Sequence, residues 1–546
     1  MKIGSLGLAG TALGIKINSP FDTIIRNGTV IDGSGKDSRP VDVGIKGDTI
    51  TALGDLEGAG ADRVIDAAGL VVAPGFIDIH THTDVELLAN PLGESKIRQG
   101  VTTEVSGNCG SSPFPLDEDD RTELDKRWRN RFGTNVSWHD LEGFFTRLEL
   151  SEPSINYATF TGHGSLRGAV VGKNDVPASP EQLAEMKRLL AQTMEVGSLG
   201  LATGLEYTPG SYAGTEELIE LAKVAAAYDG VYATHMRNED DTVKDAIQEA
   251  LRICRRAEVS TQISHLKVAN QGNWHKIDSV LELIYKTRET LPVEVDRYPY
   301  VAWGTGLTTF LPLESRQGET EQVLERLNDP EHSPRIRTFA ESRALRIGGW
   351  DKVMISYCAS EQGKKYQGKT ILSCAEEAGQ EPVDFAIGLL LSEKNQVGIV
   401  GFAMSEENLE KVLASPFTMI GSDGNAIAPY GKLAAGNPHP RFYGTFPRVL
   451  GKYSRDEQII GLEAAVHKMT GMPAAKLGLA DRGILMKKKV ADITVFDPKT
   501  VIDRATFENP HQYPVGIEYV FVNGKLTIEK GKHTGARRGR ILRHKK

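Results

Sequence analysis

The chain contains few cysteines, no long apolar run and no excess of positive charge. Four of its 546 residues are cysteine, which is too few for a disulfide framework or a zinc knuckle and favours a reducing compartment. It has no run of about 18 or more apolar residues, the length that a membrane-spanning helix requires. Its formal net charge of -8 gives no general attraction to nucleic acid. We therefore predict a cytoplasmic protein with neither a nucleic-acid nor a membrane partner.

The two ends of the chain differ in composition from the rest. Residues 1–20 are predicted to form an N-terminal extension. Within it the mildly apolar, glycine-rich stretch from Ile3 to Ile15 leaves export by an N-terminal signal open as an alternative. Residues 536–546 carry a basic cluster, Arg537 to Lys546, which we interpret as a solvated tail.

Strand-like segments with glycine turns occur near both ends. Residues 21–66 and 478–535 show this pattern, with Asn27-Gly28 and Asn523-Gly524 as candidate hairpin turns. The simplest arrangement pairs the two segments in one small β domain built from both chain termini.

Strands alternate with helices in residues 67–477. Two strand-like segments end at His235 and His265, and about 30 residues, the length of one βαβ unit, separate them. The repeated pattern predicts an α/β fold, specifically a (β/α)8 TIM-type barrel. A charged, proline-containing stretch near residues 313–350 interrupts the pattern and is interpreted as an inserted subdomain.

The most informative segment reads VVAPGFIDIHTH, from Val71 to His82. Side chains in an extended strand alternate between two faces, so His80 and His82 point the same way and both imidazoles can reach one metal ion. A buried strand that ends in metal-binding side chains is typical of the carboxyl-terminal mouth of a parallel barrel, where catalytic groups lie. Two histidines in a polar turn are the alternative interpretation.

Four further candidate ligands end predicted strands: Cys109 in GNCG, His235, His265 and Asp423 in GSDG. Taken singly, each has a simpler interpretation: the histidines as hydrogen-bonded residues, the cysteine as a buried thiol and the aspartate as a turn cap. Together they supply imidazole, thiolate and carboxylate donors, the composition of a catalytic zinc site with an open position. Such a site would supply hydroxide at neutral pH, so we predict a metal-dependent hydrolase. A degenerate barrel kept as a structural protein would have lost ligands, and all six candidates remain.

Several longer motifs carry a resemblance to a known family. They are APGFIDIHTH at 73–82, GVTTEVSGNCG at 100–110, ATHMRNE at 233–239, SHLK at 264–267, GSDG at 421–424 and HPRFYGTFPRVLG at 439–451. On these motifs the chain resembles the amidohydrolase superfamily and, within it, the N-acyl-D-amino-acid deacylases, or D-aminoacylases. The resemblance implies a zinc-dependent hydrolase of non-peptide amide C–N bonds, which releases a D-amino acid and a carboxylate from an N-acyl-D-amino acid. The alternative is an amidase for another carboxylate-bearing or cyclic amide, such as a dipeptide-like, aryl-amide or hydantoin-type compound.

The same resemblance implies a role for each candidate residue. One tight zinc would be held by Cys109, His235 and His265, and a weaker second site would include His80 and His82. Asp423 would be the general base. The substrate would be bound by Lys267, Tyr298 and Arg441 at its carboxylate and by Tyr207 near the reacting carbonyl.

Three features refine the resemblance: the first supports the subgroup and implies that Cys109 takes the metal-bridging place, and the other two leave questions open. Relatives that bridge two metals through a carboxylated lysine carry it on the fourth strand, where this chain reads GLATGL at 200–205 without a lysine. Trp303 stands where the family has small hydroxyl residues near the substrate carboxylate, so the side-chain and acyl preferences stay open. His163 occupies a family motif, GHGSLR, without an assigned role, and the oligomeric state stays open, with a homo-oligomer as one outcome.

Overall fold

The structure, a computed structural model, describes residues 19–545. The candidate export signal at Ile3 to Ile15 therefore lies outside the described residues. Within them, no helix combines the length and the apolar composition needed to cross a bilayer.

Eight parallel strands form a barrel at the centre of the chain. Each pairs in parallel with its neighbour, and the third bends at Phe160, so that its first half pairs with the second strand and its second half with the fourth. The last strand meets the first through a hydrogen bond of 2.8 Å from the Asp423 N–H to the His80 carbonyl and a parallel bridge between Thr81 and Gly424. In order, the strands are Phe76–Asp78, Val101–Ser106, Asn156–Thr159 with Thr161–Gly162, Gly200–Gly204, Val231–His235, Ser260–Ile263, Val293–Arg297 and Thr418–Ile420.

Helices between the strands bury one apolar face. The helix Pro180–Val196 begins at a capping box, in which the Ser179 side chain accepts from the Gln182 N–H and the Gln182 side chain accepts from the Ser179 N–H. Its buried face packs in one cluster with Leu201 of the fourth strand. The α-helices are Glu86–Ala89, Glu94–Ile97, Glu118–Phe132, Leu141–Glu149, His163–Val170, Pro180–Val196, Thr215–Ala227, Val243–Ala257, Ile277–Thr287, Thr320–Asn328, Ser333–Ile347, Ile371–Ala378, Pro382–Ser392, Glu406–Ala414, Arg441–Arg448, Leu462–Met469 and Gly471–Lys476, with a π-helix at Val449–Asp456.

A small β domain combines both ends of the chain, in line with the predicted fold class. Its central contact is the antiparallel pairing of Ile493–Phe496 with Val71–Pro74. A seven-stranded sheet runs in the order Lys532–His533, Lys525–Glu529, Ile517–Val522, Ile493–Phe496, Val71–Pro74, Thr29–Val30 and Arg39–Pro40, and a four-stranded sheet in the order Thr49–Gly54, Asp42–Lys46, Phe21–Arg26 and Ala61–Asp66.

The boundary between this domain and the barrel differs from the predicted one at residue 67. The strand Val71–Pro74 still belongs to the small domain, and the chain enters the barrel at Gly75, which immediately precedes the strand Phe76–Asp78. The Pro74-Gly75 pair interrupts the apolar run at this boundary, a turn signal that the predicted boundary at residue 67 did not use.

The inserted subdomain is larger than the predicted stretch of 313–350. It extends over residues 303–401 and contains its own antiparallel sheet of Trp303–Gly306, Val397–Gly401 and Val353–Cys358. Leu307, Phe310 and many other buried side chains give it a separate apolar core. Its later helices are as apolar as barrel helices, which is why only the charged part interrupted the sequence pattern.

The basic C-terminal segment is bound to the barrel, which corrects the prediction of a solvated tail over residues 536–546. The backbone N–H of Tyr157, in the third strand, donates to the Arg540 carbonyl at 2.9 Å, and the Tyr157 carbonyl accepts from the Leu542 N–H at 2.8 Å. Arg543 pairs with Glu142 at 2.5 Å and its guanidinium lies 4.9 Å from the Phe145 ring centroid. The acidic and aromatic partners come from a helix about 400 positions away in the chain, so a local charge pattern could not reveal them.

Candidate metal centre

All six predicted ligands lie at the carboxyl-terminal rim of the barrel. His235 ends the fifth strand, while His80 and His82 follow the first strand, Cys109 the second, His265 the sixth and Asp423 the eighth. The first strand ends at Asp78, earlier than the sequence suggested, yet the rings of His80 and His82 remain neighbours with centroids 5.5 Å apart. The parallel register places every strand end at the same rim, which is why residues far apart in the sequence meet there.

Donor atoms of four residues converge on one point. His80, Cys109, His265 and Asp423 each offer an atom within 4.8 Å of the other three. The Cys109 Sγ lies 3.4 Å from the Nε2 atoms of both His80 and His265. Bonds of about 2.0–2.3 Å to zinc place the donors of a tetrahedral site roughly 3.3–3.8 Å apart, so this spacing fits a shared ion.

His235 supplies a second indication of a metal. Its side chain is buried, and within residues 19–545 neither ring nitrogen has a hydrogen-bond partner. Carboxylate oxygens of Glu206 and Glu239 stand 3.9 and 4.0 Å from its Nε2. Buried polar atoms without partners are rare. A cation bound among these groups would give a His235 ring nitrogen the partner that it lacks. His235, Glu239 and His265 accordingly form a second group of converging donors.

The predicted division of the ligands between two sites stays a prediction. His265 belongs to both groups of donors. The prediction placed His80 with His82 in the second site, whereas in the structure His80 lies beside Cys109 in the first group. His82 contacts Asp423 instead, with its Nε2 2.9 Å from the Asp423 Oδ1. The mixture of nitrogen, sulfur and oxygen donors suits a catalytic zinc site and is softer than the all-oxygen sets that magnesium or calcium prefer.

Two carboxylates missing from the sequence prediction orient the histidines. Asp296 lies 3.1 Å from the His80 Nδ1 and also accepts from the His265 backbone N–H at 2.9 Å. Glu239 lies 2.9 Å from the His265 Nδ1. Carboxylates of this kind fix the tautomer of a metal-bound histidine and leave Nε2 for the ion. A charged residue inside a buried strand, as in VEVDR, was the one available sequence signal for Asp296.

The electrostatics of the site favour the ligand forms that a metal needs. Burial raises the pKa of the Cys109 thiol, but the neighbouring His80 and His265 lower it more, so the net pKa lies well below the ordinary value. Burial likewise raises the pKa of Asp423, but the charge of Arg441 and the neighbouring histidines together lower it more, so this pKa is also well below its usual range. Thiolate and carboxylate are the forms that bind cations.

The predicted substrate-binding residues line one cavity of about 1000 Å³ together with five of the six candidate ligands, the buried His80 being the exception. Arg441 pairs with Asp423 at 2.8 Å, and its guanidinium lies 4.6 Å from the Tyr298 ring centroid. The Tyr298 hydroxyl is buried and finds no partner in the described part of the chain. Lys267 is already paired, with its Nζ 2.6 Å from a Glu239 oxygen. Tyr207 packs against His235, with ring centroids 4.8 Å apart.

Two residues singled out in the sequence have different surroundings. Trp303 lines the cavity, as its neighbourhood in the sequence suggested. His163 is buried in a separate network, where its Nε2 lies 3.0 Å from Glu217, a carboxylate that also binds Arg167. His163 is not among the residues that line the cavity.

Comparison with known proteins identifies the family. The sequence matches the amidohydrolase family over residues 63–330 and 409–528, which is more than half of the chain. The chain belongs to the amidohydrolase family. The unmatched residues 331–408 of this amidohydrolase fall mostly within the inserted subdomain.

Three relatives match over nearly their whole length. A D-aminoacylase of Alcaligenes xylosoxydans xylosoxydans is 38% identical over 534 residues, which cover 96% of this chain and 98% of the relative. A solved D-aminoacylase structure described as having a binuclear metal center gives a TM-score of 0.80 at 37% identity, covering 96% and 100% of the two chains. An N-acyl-D-glutamate deacylase from Bordetella bronchiseptica, complexed with zinc and a phosphonate inhibitor, gives 0.82 at 33% identity, covering 96% and 99%. The barrel fold is therefore confirmed, and this amidohydrolase is a metal-dependent hydrolase of amide C–N bonds.

Proposed function

We propose that this chain is a zinc-dependent deacylase that converts N-acyl-D-amino acids to a carboxylate and a free D-amino acid. One observation carries the proposal: the donors of His80, Cys109, His265 and Asp423 converge within 4.8 Å, and the last three line the same cavity as Arg441. A metal site that acts on an amide thus adjoins a cation that can bind a carboxylate. Similarity to D-aminoacylase over 96% of the chain supports the choice of substrate.

Two groups of residues would hold the metal. In this proposal Cys109, His235 and His265 bind one zinc tightly, and His80 and His82 form a weaker second site beside Cys109. The ring nitrogens of His235, which have no hydrogen-bond partner among residues 19–545, support the first group. When bound, zinc would polarise the scissile carbonyl and lower the pKa of a bound water from about 15.7 toward about 7.

Asp423 would move the proton during hydrolysis. An amide nitrogen leaves poorly until it is protonated, so a carboxylate that first accepts a proton from the attacking water and then delivers it to the nitrogen serves both steps. Arg441 holds the pKa of Asp423 low in this structure. A substrate carboxylate bound to Arg441 would weaken that effect and raise the basicity of Asp423 when substrate is present.

Three side chains would orient the substrate. The planar guanidinium of Arg441 suits bidentate binding of a carboxylate, and the unpaired hydroxyl of Tyr298 supplies a further donor beside it. Burial raises the pKa of Tyr207 well above its usual value. Tyr207 therefore stays protonated and can donate to the carbonyl oxygen of the amide. Lys267 would contribute positive charge while it remains paired with Glu239.

Amine release from matched substrates tests the proposal. The zinc-loaded protein is incubated with N-acetyl-D-amino acids, with their L enantiomers and with hydantoins. We expect release of free amine from the D series and little from the L series. Hydrolysis of hydantoins with none of N-acetyl-D-amino acids would overturn the proposal in favour of a cyclic amide.

A further inference from the structure

A buried polar cluster next to Asp423 has no place in the chemistry proposed above. It consists of Asp78, Lys96, Glu104 and Ser422, none of which has exposed surface. The Lys96 Nζ lies 2.8 Å from Asp78, 3.4 Å from Glu104 and 2.5 Å from the Ser422 Oγ. Because the cost of removing charged groups from water offsets much of the attraction between them, such a cluster is a weak source of stability. Its contacts indicate another use.

The cluster holds the residues on both sides of Asp423. The Asp78 Oδ1 accepts from the Ser422 N–H at 2.8 Å. Lys96 donates to the Gly424 carbonyl at 3.2 Å, and the Gly424 N–H donates to the Ser422 Oγ at 3.1 Å. The backbone before and after Asp423 is therefore fixed, while its side chain stays available for the metal centre.

Asp423 needs this support because its backbone is strained. Its φ of 50° lies in the left-handed region, which a residue other than glycine adopts at a steric cost that is smaller for aspartate than for most. Such conformations persist only where the surroundings hold them in place. In this conformation the carboxylate reaches His82 at 2.9 Å and Arg441 at 2.8 Å.

We propose that Lys96 is a positioning residue for Asp423, acting through Ser422, Asp78 and Gly424. The inference rests on the proposed function, in which Asp423 moves the proton. Lys96 does not line the cavity, so its loss should disturb the reaction step rather than substrate binding.

The chain offers a matched control at the other end of the last barrel strand, Thr418–Ile420, which Asp423 follows. Lys468 is also buried, with 5% of its surface exposed, and it donates to the carbonyl of Thr418, the first residue of the last barrel strand, at 3.1 Å. Lys96→Met and Lys468→Met each remove one buried ammonium group and keep most of the side-chain volume. Only the first change affects the contacts that flank Asp423.

For each variant we would measure kcat, KM, bound zinc and the thermal unfolding midpoint. In Lys96→Met we expect kcat to fall about 10- to 100-fold, as for residues that support a metal site, with zinc retained and KM changed by less than about threefold. In Lys468→Met we expect kcat within about twofold of the wild type, whatever happens to stability. Ser422→Ala provides a second test if Lys96→Met does not fold. It removes only the hydroxyl that links Lys96 to Gly424 and should lower kcat by about 2- to 10-fold.

The proposal would be overturned if kcat per bound zinc stayed within about twofold of the wild type in Lys96→Met or, should that variant not fold, in Ser422→Ala. It would also be overturned if zinc were lost in proportion to kcat, because the cluster would then serve metal retention. The wild-type rate on N-acyl-D-amino acids reports on the proposed function, whereas the ratio of variant to wild type reports on Lys96. The two failures are therefore distinguishable.

Discussion

Replacing Cys109 with alanine is the most direct test of the metal centre. Its Sγ lies 3.4 Å from the Nε2 atoms of both His80 and His265, so one sulfur contacts two further candidate ligands. An apparent zinc-binding free energy of about 10–16 kcal/mol, shared among the four ligands of a tetrahedral site, gives about 2.5–4 kcal/mol per ligand. At about 1.4 kcal/mol for each tenfold change, the Kd for zinc should rise by roughly two to three orders of magnitude. The φ of Cys109 is 50°, and alanine has a similar penalty there, so the backbone does not confound the comparison.

Zinc titration and amine release on the same samples measure the effect. Dialysis against a series of buffered zinc concentrations gives the Kd, and kcat should fall with the bound zinc. Cys254→Ala is the matched control, because Cys254 is a buried cysteine of the helix Val243–Ala257 whose thiol donates to the Val259 carbonyl at 3.2 Å. Its loss should lower stability by about 1 kcal/mol and leave zinc binding unchanged. A Cys109→Ala protein that binds zinc with the wild-type Kd would refute the assignment of this thiolate as a ligand.

The remaining predictions use the same two assays. Asp296→Asn keeps the size of the side chain but weakens the acceptor for the His80 Nδ1, so we expect an about 10- to 100-fold loss of zinc affinity or kcat; unchanged zinc affinity together with an unchanged kcat would contradict this role. Arg441→Lys keeps the charge but loses the planar fork, and we expect KM for N-acetyl-D-amino acids to rise about tenfold or more. The rise should be smaller for the corresponding amides, which lack the carboxylate, and equal effects on both would argue against carboxylate binding. Removal of metal with a chelator should abolish amine release, and zinc should restore it in proportion to the zinc bound; activity that persists in zinc-free protein would exclude the proposed chemistry.

Residues that directly end apolar segments could be located from the sequence. His235 and His265 follow strand-like runs, and the register of a parallel barrel places all such ends at one rim. Glu239 and Asp296 could not be located, because their roles depend on contacts between strands. Asp296 and His80 are in contact although they are 216 positions apart in the chain, and no local sequence pattern indicates such a contact.

Long-range pairing also explains where the fold departed from expectation. The Asn27-Gly28 turn suggested a hairpin, yet the strands on either side of it, Phe21–Arg26 and Thr29–Val30, belong to different sheets. The Thr29 N–H instead donates a hydrogen bond to the Leu70 carbonyl. The Asn523-Gly524 turn does form a hairpin, with Val522 opposite Lys525. The two turns look alike in sequence. The strands available for pairing on either side determine which of them forms a hairpin.

The seven-stranded sheet has a consequence for how the protein is made. Val72 pairs with Val495, so the strand leading into the first barrel strand gains its antiparallel neighbour only after most of the chain has left the ribosome. Until then Val71–Pro74 presents an open edge, and such edges recruit other chains into aggregates. Translation that stops before residue 493 leaves that edge permanently open, and we expect truncated chains to accumulate in inclusion bodies.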